Sequence, residues 1–237
     1  MADGAGNVNS IDNVDNVDKN VGVNAGQEGR ENKNGGKWAA AWAALKAAVQ
    51  TCDKCGLCAT RSHVVFGQGA TDTPLVFVGE GPGEDEDAQG LAFVGKAGQL
   101  LTRILSAGGI SREEAFITNV VKCRPPNNRV PTPEEMMMCG GFLEAQLLLL
   151  RPKILVCLGA TSTKWMLKTT EGISALRGRW FDWRGIEVFP MFHPSYLLRD
   201  DSRKKGSPKD LTWQDVQALR EKLDRYGKEV RQDGTGA

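Results

Sequence analysis

The chain contains two histidines in 237 residues. One of them, His193, directly follows an apolar run, in Met191-Phe192-His193-Pro194-Ser195-Tyr196-Leu197-Leu198-Arg199. An imidazole there, with its backbone restrained by Pro194, is a candidate catalytic group. Glu80 also closes an apolar run and enters the loop Gly79-Glu80-Gly81-Pro82-Gly83-Glu84-Asp85-Glu86-Asp87. Three glycines within five residues let backbone approach a ligand closely. The loop is not a nucleotide P-loop, because it lacks the Gly-Lys-Ser/Thr ending and its acids would repel phosphate. Its bland reading is a glycine turn leading into an acidic helix start. A third polar residue, Asn119, sits inside the otherwise apolar end of a run. A buried amide must be hydrogen-bonded, so it either caps backbone or reads the edge of a ligand. Lys122, Arg124 and Arg129 follow beside Pro125 and Pro126, a stiff basic loop suited to phosphate contacts. The second histidine, His63, has no comparable setting and reads as structural.

Six cysteines add a second kind of chemistry. Cys52-x2-Cys55 is joined by Cys58, Cys123 and Cys139, whereas Cys157 lies inside the apolar run KILVCLG and reads as a core thiol. No basic segment followed by an apolar one opens the chain, so a reducing, cytoplasmic setting is expected and disulfides are disfavoured. The remaining five cysteines surround a possible four-ligand site of zinc or iron–sulfur type. Spacing alone does not choose the metal, nor whether Cys58 is a ligand.

These groups need a scaffold. Four apolar runs bounded by Gly or Pro, at 74–80, 115–121, 153–159 and 186–192, have the near-continuous β-branched and aromatic character of strands covered on both faces. Helical stretches lie at 38–52, 95–108, 133–150, 160–168 and 211–227. Such alternation predicts an α/β fold, three layers α/β/α around a central, mainly parallel four-stranded sheet. Ligands in such folds bind beyond the C-terminal ends of the strands, which are where Glu80, Asn119 and His193 stand. Residues 1–36, with eight Asn, seven Gly and a net charge of −3, read as a disordered tail. Residues 37–237 form one folded domain carrying about +4, mildly suited to a polyanion. No apolar run reaches the roughly 18 residues of a membrane span, so no membrane partner is expected.

Taken in order, Cys-x2-Cys, GEGPGEDED, Phe-Val-Gly at 93–95, Ile-Thr-Asn with Lys-Cys-Arg-Pro-Pro, Cys139 and His-Pro-Ser-Tyr-Leu-Leu-Arg resemble the iron–sulfur, family 4 type of uracil-DNA glycosylase. The resemblance spans roughly residues 40–227. It implies a DNA-repair enzyme that excises uracil from DNA by hydrolysing the N-glycosidic bond. It also implies a structural 4Fe–4S cluster on Cys52, Cys55, Cys123 and Cys139. Glu80 matches the acidic residue of the family's first motif, and Gly81 stands where better-known uracil glycosylases carry a catalytic aspartate. Phe93 matches the aromatic that stacks on uracil, Asn119 the amide that reads the base, and His193 the histidine of the second motif. Glu86 is the expected wall against thymine, Leu197 or Leu198 the wedge entering the vacated stack, and Lys122, Arg124 and Arg199 the phosphate contacts. The protein is expected to act as a monomer on uracil-containing DNA.

Two other classes share parts of this pattern: a noncatalytic iron–sulfur or zinc module that binds nucleic acid, and a relative that traps uracil-DNA covalently. The covalent type carries a histidine in an added loop after the second strand, and 120–132 contains none. An unrelated α/β hydrolase lacks support, since no Gly-x-Ser-x-Gly occurs.

Overall fold

The computed structural model describes residues 35–199, 202 and 204–233, with side chains as far as Tyr226. The expected tail lies, but for its last two residues, outside them.

The four apolar runs form strands β2 (Leu75–Gly79), β3 (Phe116–Asn119), β4 (Ile154–Leu158) and β6 (Ile186–Met191). They are parallel neighbours in the order β3-β2-β4-β6. Alternate side chains serve opposite faces, which is why these runs show no polar period. Val76, Val78, Phe116, Leu155 and Val188 belong to one core. Leu75, Phe77, Ile117, Val156 and Phe189 belong to the other. Covering the first face are α1 (Gly36–Gln50), α4 (Pro133–Leu150) and α5 (Ala160–Leu167), through Val49, Leu143, Leu147 and Met166. Covering the second are α3 (Lys96–Ala107) and α8 (Pro208–Asp233), through Leu101, Leu105, Val216 and Leu219. Three shorter helices, α2 (Glu84–Gln89), α6 (Ile173–Leu176) and α7 (Pro194–Leu197), lie in the connections. The result is the expected three-layer α/β/α architecture.

The sheet has six strands rather than four, because a short antiparallel strand is added at each edge. β1 (Gln68–Gly69) pairs with β3, and β5 (Phe181–Trp183) pairs with β6. Two or three residues are too few to show a period. β5 is joined to β6 by the two-residue loop Arg184-Gly185, both at positive φ, as a tight hairpin turn requires.

The chain runs from β2 outward to β3, then crosses back to β4 on the other side of β2. With right-handed crossovers this reversal puts α3 on one face and α4 and α5 on the other, and opens a crevice at the C-terminal ends of β2 and β4.

Candidate active site

A cleft of about 360 Å³ occupies that crevice, and Glu80, Gly81, Glu86, Phe93, Asn119 and His193 all line it. Glu80 leaves the end of β2, and its carboxylate accepts a hydrogen bond from the Thr161 hydroxyl at the start of α5. That bond ties the two strands flanking the crevice together. Gly81 has no room for a side chain, since a Cβ would stand 2.8 Å from Val121 Cγ2.

The acidic loop is spent on local structure rather than left as bare charge. Glu86 Oε2 accepts from Gly83 N at 3.1 Å, and its Oε1 accepts from Val94 N at 2.9 Å and Gly95 N at 2.8 Å. Asp87 turns inward and accepts from the backbone of Ser62 and His63, while His63 Nδ1 pairs with the Asp87 carbonyl at 2.8 Å. His63 is therefore engaged in holding backbone, as the sequence suggests.

Phe93 sits between these clamps. Its φ of +52° is uncommon for a residue with a side chain, so its surroundings must hold it there. On one side Ala92 O accepts from Gln68 Nε2 at 3.0 Å and Arg112 Nη2 at 2.7 Å; on the other lies the Glu86 carboxylate. Gly98 permits the bend, since a Cβ there would fall 1.9 Å from Phe93 O. Gly79 lets the ring sink against the strand end, as a Cβ there would meet Phe93 Cζ at 2.6 Å. The ring presents itself to the cleft 5.7 Å from the His193 ring.

Asn119 is 1% exposed at the end of β3, and its Oδ1 is the single buried side-chain polar atom without a hydrogen-bond partner among the described residues. Such an atom costs about 1–3 kcal/mol while unpaired, so an acceptor facing a cleft is poised for a donor on a ligand. His193 precedes α7, and its Nδ1 receives Ser195 N at 3.1 Å and Ser195 Oγ at 2.8 Å. A backbone N–H can only donate, so Nδ1 carries the lone pair and the ring hydrogen resides on Nε2. Burial pushes the imidazole down to about 4. It is a neutral N–H donor at physiological pH.

A second, narrow pocket is lined by Cys52, Cys55, Cys58, Cys123 and Cys139. Cys52 follows α1, Cys55 precedes a short turn of helix, Cys123 follows β3 and Cys139 lies on α4. Arg61 Nη1 donates to Cys123 Sγ at 3.2 Å and to Cys52 O at 2.7 Å, and Lys122 N donates to Cys139 Sγ at 3.2 Å. Burial pushes the Cys123 thiol up to about 11, against the pull of Arg61, and raises Cys139 as well. Donors aimed at these sulfurs suit thiolates that bear a metal. Among the described residues no His, Cys, Asp or Glu group is drawn tightly enough for a single ion. A multi-iron cluster, in which each thiolate binds its own iron, tolerates wider spacing. Cys58 Sγ turns to the Asp53 carbonyl, 4.0 Å away, and Cys157 is fully buried in β4.

Two sequence expectations need correction. Lys122 is 1% exposed and cannot reach a phosphate, because its amine is held by Thr118 Oγ1, the Asn119 carbonyl and Gln146 Oε1. Leu197 is 2% exposed and packed inward, so it is no wedge; Tyr196 in α7 and Leu198 just after it are exposed. Arg199 is exposed, and Arg124 holds Asn128 Oδ1 at 2.8 Å with Glu84 3.7 Å away. Sequence reasoning missed Thr161 and the role of Ser195. Both stand directly beyond a strand's C-terminal end, the one signal that could have found them.

A family model for the uracil DNA glycosylase superfamily matches residues 66–217. A type-4 uracil-DNA glycosylase of Thermotoga maritima is 52% identical over 66% of this chain and 82% of its own length. One from Saccharolobus solfataricus is 42% identical over 69% of this chain and 80% of its own. A type-5 enzyme of Pyrobaculum aerophilum is 35% identical over shorter spans, 38% and 40%. The match covers both the cleft-forming loops and the sheet that carries them, and the chain belongs to the uracil DNA glycosylase superfamily.

Proposed function

We propose that this protein excises uracil from DNA, hydrolysing the N-glycosidic bond to leave an abasic site. The observation that carries the reading is the unpaired Asn119 Oδ1, buried in the cleft that also holds Glu80, Phe93 and His193.

The base must first leave the duplex, since its glycosidic carbon is inaccessible in the stack. Leu198 is the wedge for the vacated space, and Arg124 and Arg199 hold phosphates. Phe93 covers one face of the extruded ring, worth about 1–3 kcal/mol of stacking. Asn119 Oδ1 accepts from uracil N3–H while its amide N–H donates to O4; cytosine offers the opposite pattern. One methyl separates thymine from uracil, and a soft apolar slot discriminates a methyl by only about 1–3 kcal/mol. Exclusion needs a stiff wall, and the Glu86 carboxylate, fixed by three backbone N–H groups, supplies one. As the bond breaks, negative charge grows on uracil O2 and meets the His193 Nε2–H. Positive charge grows on the sugar, where the Glu80 carboxylate, oriented by Thr161, stabilises it and positions the attacking water. A single-turnover assay on a uracil-containing oligonucleotide tests the reading. Abasic product supports it, and binding without cleavage would leave a nucleic-acid-binding module instead.

Cys52, Cys55, Cys123 and Cys139 would hold a 4Fe–4S cluster, with Arg61 and the Lys122 N–H as its hydrogen-bond donors. Held there, such a cluster would tie the segment after α1 to the loop after β3 and to α4, a structural role that supplies no group to the hydrolysis. The cytoplasm, where thiolates stay reduced, suits such a site. Freshly purified protein is expected to be brown, with about four iron atoms per chain. Cys139→Ala should lose the colour and lower the Tm; a colourless wild-type protein that binds one zinc would overturn the assignment. Among the described residues no helix is long and apolar enough to cross a membrane.

A further inference from the structure

Lys122 is among the largest fully buried side chains of the molecule, yet it ends in an amine that needs hydrogen-bond partners. Its Nζ has three oxygen neighbours, each at 2.7 Å: Thr118 Oγ1, the Asn119 carbonyl and Gln146 Oε1. The Thr118 hydroxyl sends its hydrogen to Phe66 O at 2.9 Å, so toward Lys122 it can only accept. Gln146 Nε2 donates to the same carbonyl at 2.8 Å, which turns its Oε1 toward the lysine. Three acceptors match the three N–H donors of an ammonium and leave none spare. A buried ammonium is costly unless every donor is met, and here every donor is met.

The bond to Asn119 is the informative one. Val120 N donates across to Gly79 O, so the carbonyl of the same peptide unit, that of Asn119, points away from β2. On that side β1 pairs only as far as Ile117. The last carbonyl of β3 would therefore lack a strand partner, and Lys122 supplies the missing donor. The backbone that aims the Asn119 amide is thus fixed from below by a side chain rooted in the loop that carries Cys123.

We propose that Lys122 is a positioning residue for base selection, setting the orientation of the Asn119 amide through its backbone carbonyl. The assignment rests on the glycosylase reading. An amide that reads a base edge by two hydrogen bonds tolerates little displacement, and a misplacement near 1 Å can cost on the order of a hundredfold.

The test uses the whole protein, its cluster intact, and two oligonucleotides. One carries 2′-fluoro-deoxyuridine, which resists cleavage, and the other a tetrahydrofuran abasic analogue. Lys122→Met keeps the length of the stem and removes the donors. Its preference for the uracil DNA over the abasic DNA should fall by about tenfold to a hundredfold. Affinity for the abasic DNA and iron content should stay near wild type, since the bond from Lys122 N to Cys139 is main-chain. Gln146→Met, which removes one of the three acceptors, should shift the preference in the same direction by less. An unchanged preference in Lys122→Met, or a proportional loss of both affinities, overturns the assignment. Should that variant not fold, an unchanged preference in Gln146→Met overturns it. A wild-type protein that leaves ordinary uracil DNA uncleaved would overturn the glycosylase reading itself, and the assignment with it.

Discussion

His193→Ala should slow the chemical step by about 10²–10³-fold, the usual effect of deleting one donor to a developing oxyanion, while affinity for abasic DNA stays within about twofold of wild type. Single-turnover cleavage and equilibrium binding separate the two quantities. The expectation follows from the ring's surroundings. Both hydrogen bonds at Nδ1 come from Ser195, so the tautomer with hydrogen on Nε2 is imposed before substrate arrives. Burial depresses the imidazole to about 4, well below the ordinary 6.5. A group with a lowered value is neutral above it. The His193 contribution to rate is therefore expected to stay constant from pH 8 down to pH 5, with any loss from protonation setting in only as pH approaches 4. An imidazolium donor would behave oppositely, its contribution fading as pH rises through 6 and 7. A wild-type rate that falls across that range, with the fall abolished in His193→Ala, would refute the neutral donor. A His193→Ala protein that cleaves at the wild-type rate would remove the histidine from the reaction altogether.

How much of this was legible beforehand depended on the range of the interaction involved. The four parallel strands announce themselves because burial on both faces demands uninterrupted apolar residues, and 75–79, 116–119, 154–158 and 186–191 all lie within the apolar runs. That Glu80 and Asn119 lie toward the ends of two of those runs, and His193 directly after a third, was enough to place them at one end of the sheet. The edge strands β1 and β5 were not legible, since pairing over two or three residues depends on what the rest of the sheet offers. Lys122 shows the sharper failure. Between Val121 and Cys123, beside Arg124, it reads as part of a basic loop; the acceptors that draw it inward come from β3 and from Gln146, 24 residues further on. Leu197 and Leu198 show the same limit on a smaller scale. Leu197 closes α7 and Leu198 comes just after it, and only the packing of that segment against its neighbours decides that Leu197 is buried and Leu198 exposed. The positive φ of Phe93 was likewise invisible, since it is imposed by Gln68, Arg112 and Glu86 from three separate segments.

Asn119→Asp should cost more than any other single change in the cleft, about 10⁴-fold in kcat/KM on uracil DNA at pH 8. A site built to pair with a polar edge rejects a mismatch by about 10⁴–10⁵, because buried groups are then left unpaired. The substitution is nearly isosteric, so the cavity is retained and the loss is one of pattern. The ionised carboxylate accepts from uracil N3–H as the amide did, but it has no donor for O4 and opposes one negative oxygen to another. Toward cytosine the balance differs. The amino group at C4 now finds an acceptor, although N3 still lacks a donor, so the ratio of uracil to cytosine cleavage should fall much further than cytosine cleavage itself. Protonation reverses the effect on uracil. A neutral carboxyl offers one O–H and one carbonyl, the same pattern as the amide, and burial at 1% exposure favours the neutral form. Uracil cleavage by Asn119→Asp should therefore recover as pH is lowered, whereas the wild-type amide does not titrate. Single-turnover rates on matched uracil and cytosine oligonucleotides between pH 5 and 8 decide the matter. If Asn119→Asp kept its rate on uracil within about tenfold of wild type across that range, the amide would not be the group that reads the base, and the unpaired Oδ1 would need another explanation.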